Sequence, residues 1–129
     1  MIGAKGDRFG ISVAVSPGLI AVGAYGDYDE YEGKKYAGAV YIYTPDTSGK
    51  WTHAQKLQAS DIAAYAQFGR KLAASDDGTL VVTATGDNRY FGSAYVFSCT
   101  VAGVCTETEK LRAADGEEDD GFGASVSIS

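Results

Sequence analysis

The sequence predicts an all-β fold, built from small antiparallel sheets that repeat along the chain. Gly is frequent, with 17 residues of 129, and hydrophobic residues make up 45%, which excludes a disordered chain. Nine Tyr and five Phe add residues that favour strands. Strand-like segments recur in the same order, and no segment shows a sustained 3.6-residue periodicity.

A Phe-Gly pair marks the repeat and occurs three times, beginning at Phe9, Phe68 and Phe122. The pairs lie 59 and 54 residues apart, and the segments that follow the first two align strand by strand. The first unit is one residue shorter at 17–18 and six residues longer at 27–37. Because surface loops tolerate insertions and packed elements do not, both places are predicted to be loops.

Each unit contains four predicted strands. In the first strand, Val13 and Val15 alternate with smaller residues, which is typical of a half-buried strand. Tight turns at 17–18 and 76–78 lead to second strands that are apolar on both faces, as expected between two neighbours. The remaining strands are predicted at 19–24, 80–84, 40–43, 94–97, 51–57 and 105–111.

Four-stranded units repeated at about 50 residues indicate the blades of a β-propeller. We expect the whole chain, 1–129, to be one propeller segment, with a first blade at 9–61 and a second at 68–115. An extra strand at 122–129 would begin a third blade. Two blades cannot close a ring, so the sequence predicts an incomplete propeller within a single chain.

The three phased copies resemble FG-GAP repeats, the blades of integrin α-subunit propellers. The resemblance implies a non-enzymatic, extracellular or cell-surface protein that acts in adhesion or ligand binding. The second unit departs from the pattern, since it reads Val82-Thr83-Ala84 where the first unit has Val22-Gly23-Ala24. The repeat positions that carry the resemblance are Phe9, Gly10, Gly23, Gly26, Gly38, Phe68, Gly69, Gly86, Gly92, Phe122 and Gly123.

Integrin-type repeats often carry a calcium loop between the first two strands. The connections here have only two or three residues, whereas calcium needs six to eight oxygen ligands. We therefore expect no metal at that position and no cofactor.

The inserted loop is the most distinctive candidate for ligand contact, because it combines four carboxylates with three Tyr. Its tyrosines suit a sugar or a protein partner, and its carboxylates suit calcium as a less favoured alternative. The interpretation favoured over both is a solvated acidic loop whose tyrosines pack over the neighbouring strands. The candidate residues, including two from the second unit, are Asp27, Tyr28, Asp29, Glu30, Tyr31, Glu32, Tyr36, Asp87 and Tyr90.

Cys99 and Cys105 flank a short Gly-containing segment between two predicted strands. A hairpin there would bring the two Cβ atoms close enough for a disulfide, and free buried thiols are the alternative. A disulfide would favour an oxidising compartment.

Charge and motifs exclude other classes of function. The net charge of −6 argues against nucleic acid, and no apolar run approaches the roughly 18 residues of a membrane span. No signal-peptide pattern opens this sequence. His53 is the single histidine, without a phased nucleophile or acid, so we expect no catalytic residue and no enzyme.

The expected partners are other copies of this chain or further blades of a longer parent, with a protein or glycan ligand on the propeller face. Head-to-tail copies forming a ring or filament are the alternative, in which the function is purely structural. A glycan-acting enzyme is the third and least favoured hypothesis.

Overall fold

The computed structural model describes residues 6, 8–26, 35–61, 63–87 and 91–112, which form two four-stranded antiparallel sheets. The first sheet, blade 1, contains β1 (Ser12–Ser16), β2 (Leu19–Ala24), β3 (Ala39–Pro45) and β4 (Trp51–Leu57) in that order. The second sheet, blade 2, contains β5 (Phe68–Ala74), β6 (Thr79–Ala84), β7 (Ser93–Cys99) and β8 (Cys105–Leu111). The all-β prediction and the two predicted blades are confirmed. The expected extra strand, with Phe122 and Gly123, lies outside the described residues.

The two blades repeat each other in detail. Both first turns contain a glycine with positive φ, Gly18 at 74° and Gly78 at 91°, a conformation that costs glycine little. The third and fourth strands pair with a register shift between Ile42 and Tyr43 in blade 1, and at the equivalent place in blade 2. Insertions are thus confined to the connections, and the sheets themselves are conserved between the units.

The main core lies between the blades. One face of blade 1, its downstream face, carries Ala21, Val40, Ile42 and Leu57, all of which are buried. It shares one hydrophobic cluster with the upstream face of blade 2, which consists of Phe68, Leu80, Val82, Tyr95 and Phe97. Burial of these side chains is the main force that joins the two sheets.

Phe68 and Gly69 form a central part of the contact between blade 2 and blade 1. Phe68 is fully buried and contacts the rings of Tyr95 and Phe97 edge-on, with centroids 5.3 and 6.0 Å away. Gly69 has φ 94°, and a Cβ built on Gly23 would lie 2.2 Å from the Gly69 carbonyl oxygen. The sheets therefore meet backbone to backbone at this point, and only a glycine at position 23 permits that approach.

Val13 and Val15 alternate as predicted, but they lie on the outer side of blade 1. Both are exposed, whereas Ala14 and Ser16 between them are buried. The reason is that the downstream face, which packs on blade 2, is the one that carries the small residues. The valines belong to the upstream face of blade 1, together with Phe9, Ile20, Val22, Tyr41 and Tyr43.

Candidate functional site

The end of the inserted loop is fixed to the segment that links the two blades. The amides of Tyr65, Gln67 and Phe68 donate to the carbonyls of residues 35, 36 and 37, at 2.7, 2.9 and 3.0 Å. A parallel bridge between Gly38 and Phe68 continues this ladder. The connections at this end of the sheets are therefore held together by backbone hydrogen bonds.

Two tyrosines form an exposed aromatic pair on that ladder. The rings of Tyr36 and Tyr65 stack with centroids 5.8 Å apart, and the residues are 44% and 49% exposed. Both have positive φ, 52° and 64°, which costs a residue with a Cβ about 1–2 kcal/mol. We call these two residues the tyrosine pair.

The repeat shows that the tyrosine at position 65 is not required by the backbone. The equivalent residue in the first unit, three positions before Phe9, is Gly6, which has φ 95°. A glycine adopts this conformation without strain. Tyr65 therefore carries backbone strain that its Gly6 equivalent does not, and its ring stacks on that of Tyr36.

A second aromatic contact lies where β2 ends and β5 begins. The guanidinium carbon of Arg70 lies 4.5 Å from the ring centroid of Tyr25. A cation over an aromatic face is stabilised by the ring quadrupole.

Asp87 is one of the predicted ligand residues, and the structure places it inside a polar cluster. Its carboxylate is buried and accepts hydrogen bonds from Ser93 Oγ at 2.5 Å and from Arg112 at 3.4 Å. Lys110 Nζ lies 2.8 Å from the same oxygen. These partners fit a structural role, since a buried carboxylate whose Oδ2 contacts three side chains of its own blade is engaged within the fold.

The cluster continues into the segment between the blades through Asp61. Its carboxylate pairs with Lys110 and accepts a hydrogen bond from the Tyr95 hydroxyl at 2.8 Å. Burial acts to raise the pKa of Asp61, but the hydrogen bonds from Lys110 and Tyr95 outweigh it and lower the pKa. For Tyr95, burial and the bond to Asp61 both raise the pKa. Asp61 thus ties the linker of blade 1 to the outer half of blade 2.

Cys99 and Cys105 form the disulfide that the hairpin spacing predicted as one of two alternatives. They stand opposite each other on β7 and β8, with Cα atoms 4.0 Å apart. The backbone of Cys105 is in turn held by the Gln55 side chain, which accepts from its amide at 2.8 Å and donates to its carbonyl at 3.4 Å. The disulfide hairpin is therefore also a contact between the blades.

The opposite end of the sheets holds a small pocket of about 130 Å³. It is lined by the two first-to-second-strand turns and by the disulfide hairpin, at residues 16–19, 76–78 and 99–101. Ligand pockets for drug-sized molecules start near ~300 Å³, so this pocket is too small for such a ligand.

The structure describes two of the predicted ligand residues, and the others lie outside its described part. Tyr36 is exposed in the tyrosine pair, and Asp87 lies in the polar cluster. Asp27, Tyr28, Asp29, Glu30, Tyr31, Glu32 and Tyr90 lie outside the described residues. Within the described part of the chain, no group of three or more His, Cys, Asp and Glu is arranged to hold a metal ion.

Tyr65, Tyr25 and Arg70 are site residues that the sequence did not single out. The one available signal was the comparison of Tyr65 with Gly6 at the same repeat position. His53 is exposed on β4, and its ring centroid lies 5.6 and 5.4 Å from those of Tyr41 and Tyr43.

A protein-family model matches the chain. The family model of the FG-GAP repeat matches residues 3–43, 51–97 and 105–129. A search of the curated proteins finds no match. In the part of the chain that the structure describes, no helix is long and apolar enough to cross a membrane. The matched segments span most of the chain and agree with its two repeated sheets, so the chain belongs to the FG-GAP repeat family.

Proposed function

We propose that this chain is a non-enzymatic, extracellular interaction module that binds a protein or glycan ligand at the end of the blades carrying the tyrosine pair. The FG-GAP repeat is a β-propeller-type interaction or structural module, and the family is generally non-enzymatic. The exposed, backbone-strained pair of Tyr36 and Tyr65 is the observation that supports ligand binding at this place.

The chemistry of the pair suits a flat, partly apolar ligand surface. Aromatic rings offer a large contact area with few rotatable bonds, and tyrosine adds a hydroxyl that donates and accepts. The backbone ladder between residues 35–38 and 65–68 holds both residues before any ligand arrives, which lowers the entropy cost of binding. In the sequence, residues 27–34 directly precede Lys35 and Tyr36 and contain two further tyrosines and four carboxylates.

Two observations support an extracellular location. The family is typically extracellular, and Cys99 and Cys105 are joined in a disulfide. Disulfides persist in oxidising compartments and are rare in reducing ones.

A glycan array and a cell-surface binding assay test this proposal with three single variants. Tyr36→Ala and Tyr65→Ala should each weaken retention at least tenfold, because each removes one ring of the pair. Trp51→Ala is the control, since Trp51 is similarly exposed at the start of β4, away from the pair. Equal retention of all three variants by a ligand of the wild-type chain would contradict the proposed site.

A purely structural role is the second candidate function, in which contact between blades is itself the function. It is favoured by the apolar upstream face of blade 1, where Phe9, Val13 and Val15 are exposed. Concentration-dependent assembly in the absence of any ligand would support this role, and a monomer at every concentration would contradict it.

A further inference from the structure

The tyrosine pair combines exposure with direct contact between two phenol rings. Tyr36 and Tyr65 are 44% and 49% exposed, with ring centroids 5.8 Å apart and ring planes 29° from parallel. An oxidant dissolved in water therefore reaches both rings. The other tyrosines of the described residues are buried or half-buried, namely Tyr25, Tyr41, Tyr43 and Tyr95.

The backbone keeps the two residues of the pair side by side. The Tyr65 amide donates to the Lys35 carbonyl at 2.7 Å, and the Gln67 amide donates to the Tyr36 carbonyl at 2.9 Å. Two groups held in contact react as if each were present at a concentration far above that of a second chain in dilute solution. A radical formed on one ring of the pair should therefore meet the other ring before it meets another molecule.

We propose that Tyr36 and Tyr65 are a site of oxidative modification, at which a peroxide-dependent one-electron oxidant joins the two rings as dityrosine. The oxidant removes one electron and one proton from each phenol, which leaves two phenoxyl radicals. Both rings are partly exposed, so each can turn about its Cβ–Cγ bond until a carbon ortho to each oxygen lies against the other ring.

The coupling step balances without a further reactant. One carbon–carbon bond forms between the two ortho carbons, each of those carbons releases its hydrogen as a proton, and each oxygen takes up a proton, which restores two phenols. The net change is the loss of two hydrogen atoms from the chain. These hydrogen atoms reduce one hydrogen peroxide to two molecules of water.

The cross-link would act as a covalent tie within the fold, and it does not depend on ligand binding at the pair. It joins the end of the inserted loop to the segment that links the two blades, through side chains 29 positions apart in sequence. A closed loop of this kind restricts the unfolded chain, as a disulfide does. The Cys99–Cys105 disulfide fits an oxidising compartment, which is compatible with this reaction.

Treatment of the purified chain with a haem peroxidase and hydrogen peroxide tests the proposal. The product should be two hydrogen atoms lighter, show the blue fluorescence of dityrosine, and yield on trypsin digestion one joined species containing residues 36–50 and 57–70. The fraction of chains cross-linked in this way should be the same at about 1 and about 10 µM, because the two rings are already in contact. Free N-acetyltyrosine amide, treated in parallel, shows that the oxidant is active.

Matched Tyr→Phe variants identify the reacting residues. Tyr36→Phe and Tyr65→Phe keep an aromatic ring but lack the phenol hydroxyl, so each should lower the yield of the cross-link within the chain at least tenfold. Tyr43→Phe is the control, since Tyr43 is half-buried on β3 with its ring beside that of His53, and it should react as the wild type does.

Three results would overturn the proposal. They are dityrosine that forms only between chains, dityrosine that joins other tyrosines or persists in Tyr36→Phe or Tyr65→Phe, and an unchanged pair under an oxidant that converts the free tyrosine derivative. Each of these results leaves ligand binding at the pair standing, because the retention assay for that function uses no oxidant.

Discussion

Replacing the Phe of the Phe-Gly pair with Ala should lower the free energy of unfolding much more in blade 2, at Phe68, than in blade 1, at Phe9. Phe68 is fully buried between the sheets, and replacing a buried Phe with Ala costs about 3–5 kcal/mol, from the lost transfer energy and the cavity left behind. Phe9 is 41% exposed, so about two-fifths of the transfer energy was never gained and no closed cavity forms. Full burial of a Phe side chain contributes about 1.5–3 kcal/mol, and about three-fifths of that is gained at Phe9. Phe9→Ala should therefore lower the free energy of unfolding by about 1–2 kcal/mol.

Urea unfolding followed by far-UV circular dichroism measures both costs. A slope of about 1–3 kcal/mol per M is typical of a chain of this size, so the midpoints of Phe9→Ala and Phe68→Ala should differ by roughly 1 M. Val101→Ala, on a fully exposed side chain, is the control and should unfold with the wild type. Equal midpoints for the two Phe variants, with unchanged slopes, would contradict the difference in burial between Phe68, which is fully buried under blade 1, and Phe9, which is 41% exposed.

Three further outcomes follow from named contacts. Gly23→Ala should lower the free energy of unfolding by about 1–3 kcal/mol in urea titration, because its Cβ would lie 2.2 Å from the Gly69 oxygen; an unchanged midpoint would contradict that close approach. The pKa of Asp61 is lowered in the folded chain, so its carboxylate stabilises the fold above the unfolded pKa, and this stabilisation is lost as the pH falls through the folded pKa. Thermal melts from pH 6 to 2 should therefore show a steeper loss of stability towards acid in the wild type than in Asp61→Asn. Parallel curves for the two proteins would contradict this effect. Reducing the Cys99–Cys105 disulfide should cost about 2 kcal/mol, given its small loop, and a melting temperature unchanged by reductant would contradict the link.

The strands were predictable from the sequence because the alignment of the two repeat copies separates the positions that belong to strands from those that belong to loops. A length difference confined to 17–18 and 27–37 marked the loops, and the apolar run from Leu19 to Ala24 marked a central strand. The direction in which Val13 and Val15 face was not predictable from alternation alone. Period two identifies the two faces of a strand, and the packing partner decides which face is buried.

The candidate site was predictable only in part. Tyr36 was identified because it lies in the insertion, whereas Tyr65 lies in a segment without a compositional signal. Its positive φ is a backbone property that sequence shows only indirectly, through the Gly6 equivalent. Asp87 was named as a candidate ligand residue, but its ion pairs with Lys110 and Arg112 join it to residues more than 20 positions away in sequence, at and just after β8.

Hydroxyl-radical footprinting read by mass spectrometry, at a concentration low enough to keep the chain dilute, tests the central claim in one measurement. The two blades cover each other on one pair of faces, whereas Phe9 on the upstream face of blade 1 and the tyrosine pair are exposed. Phe9, Tyr36 and Tyr65 should therefore be oxidised rapidly, while Phe68 and Tyr95 are protected. Equal oxidation of Phe9 and Phe68, or protection of the tyrosine pair, would contradict it.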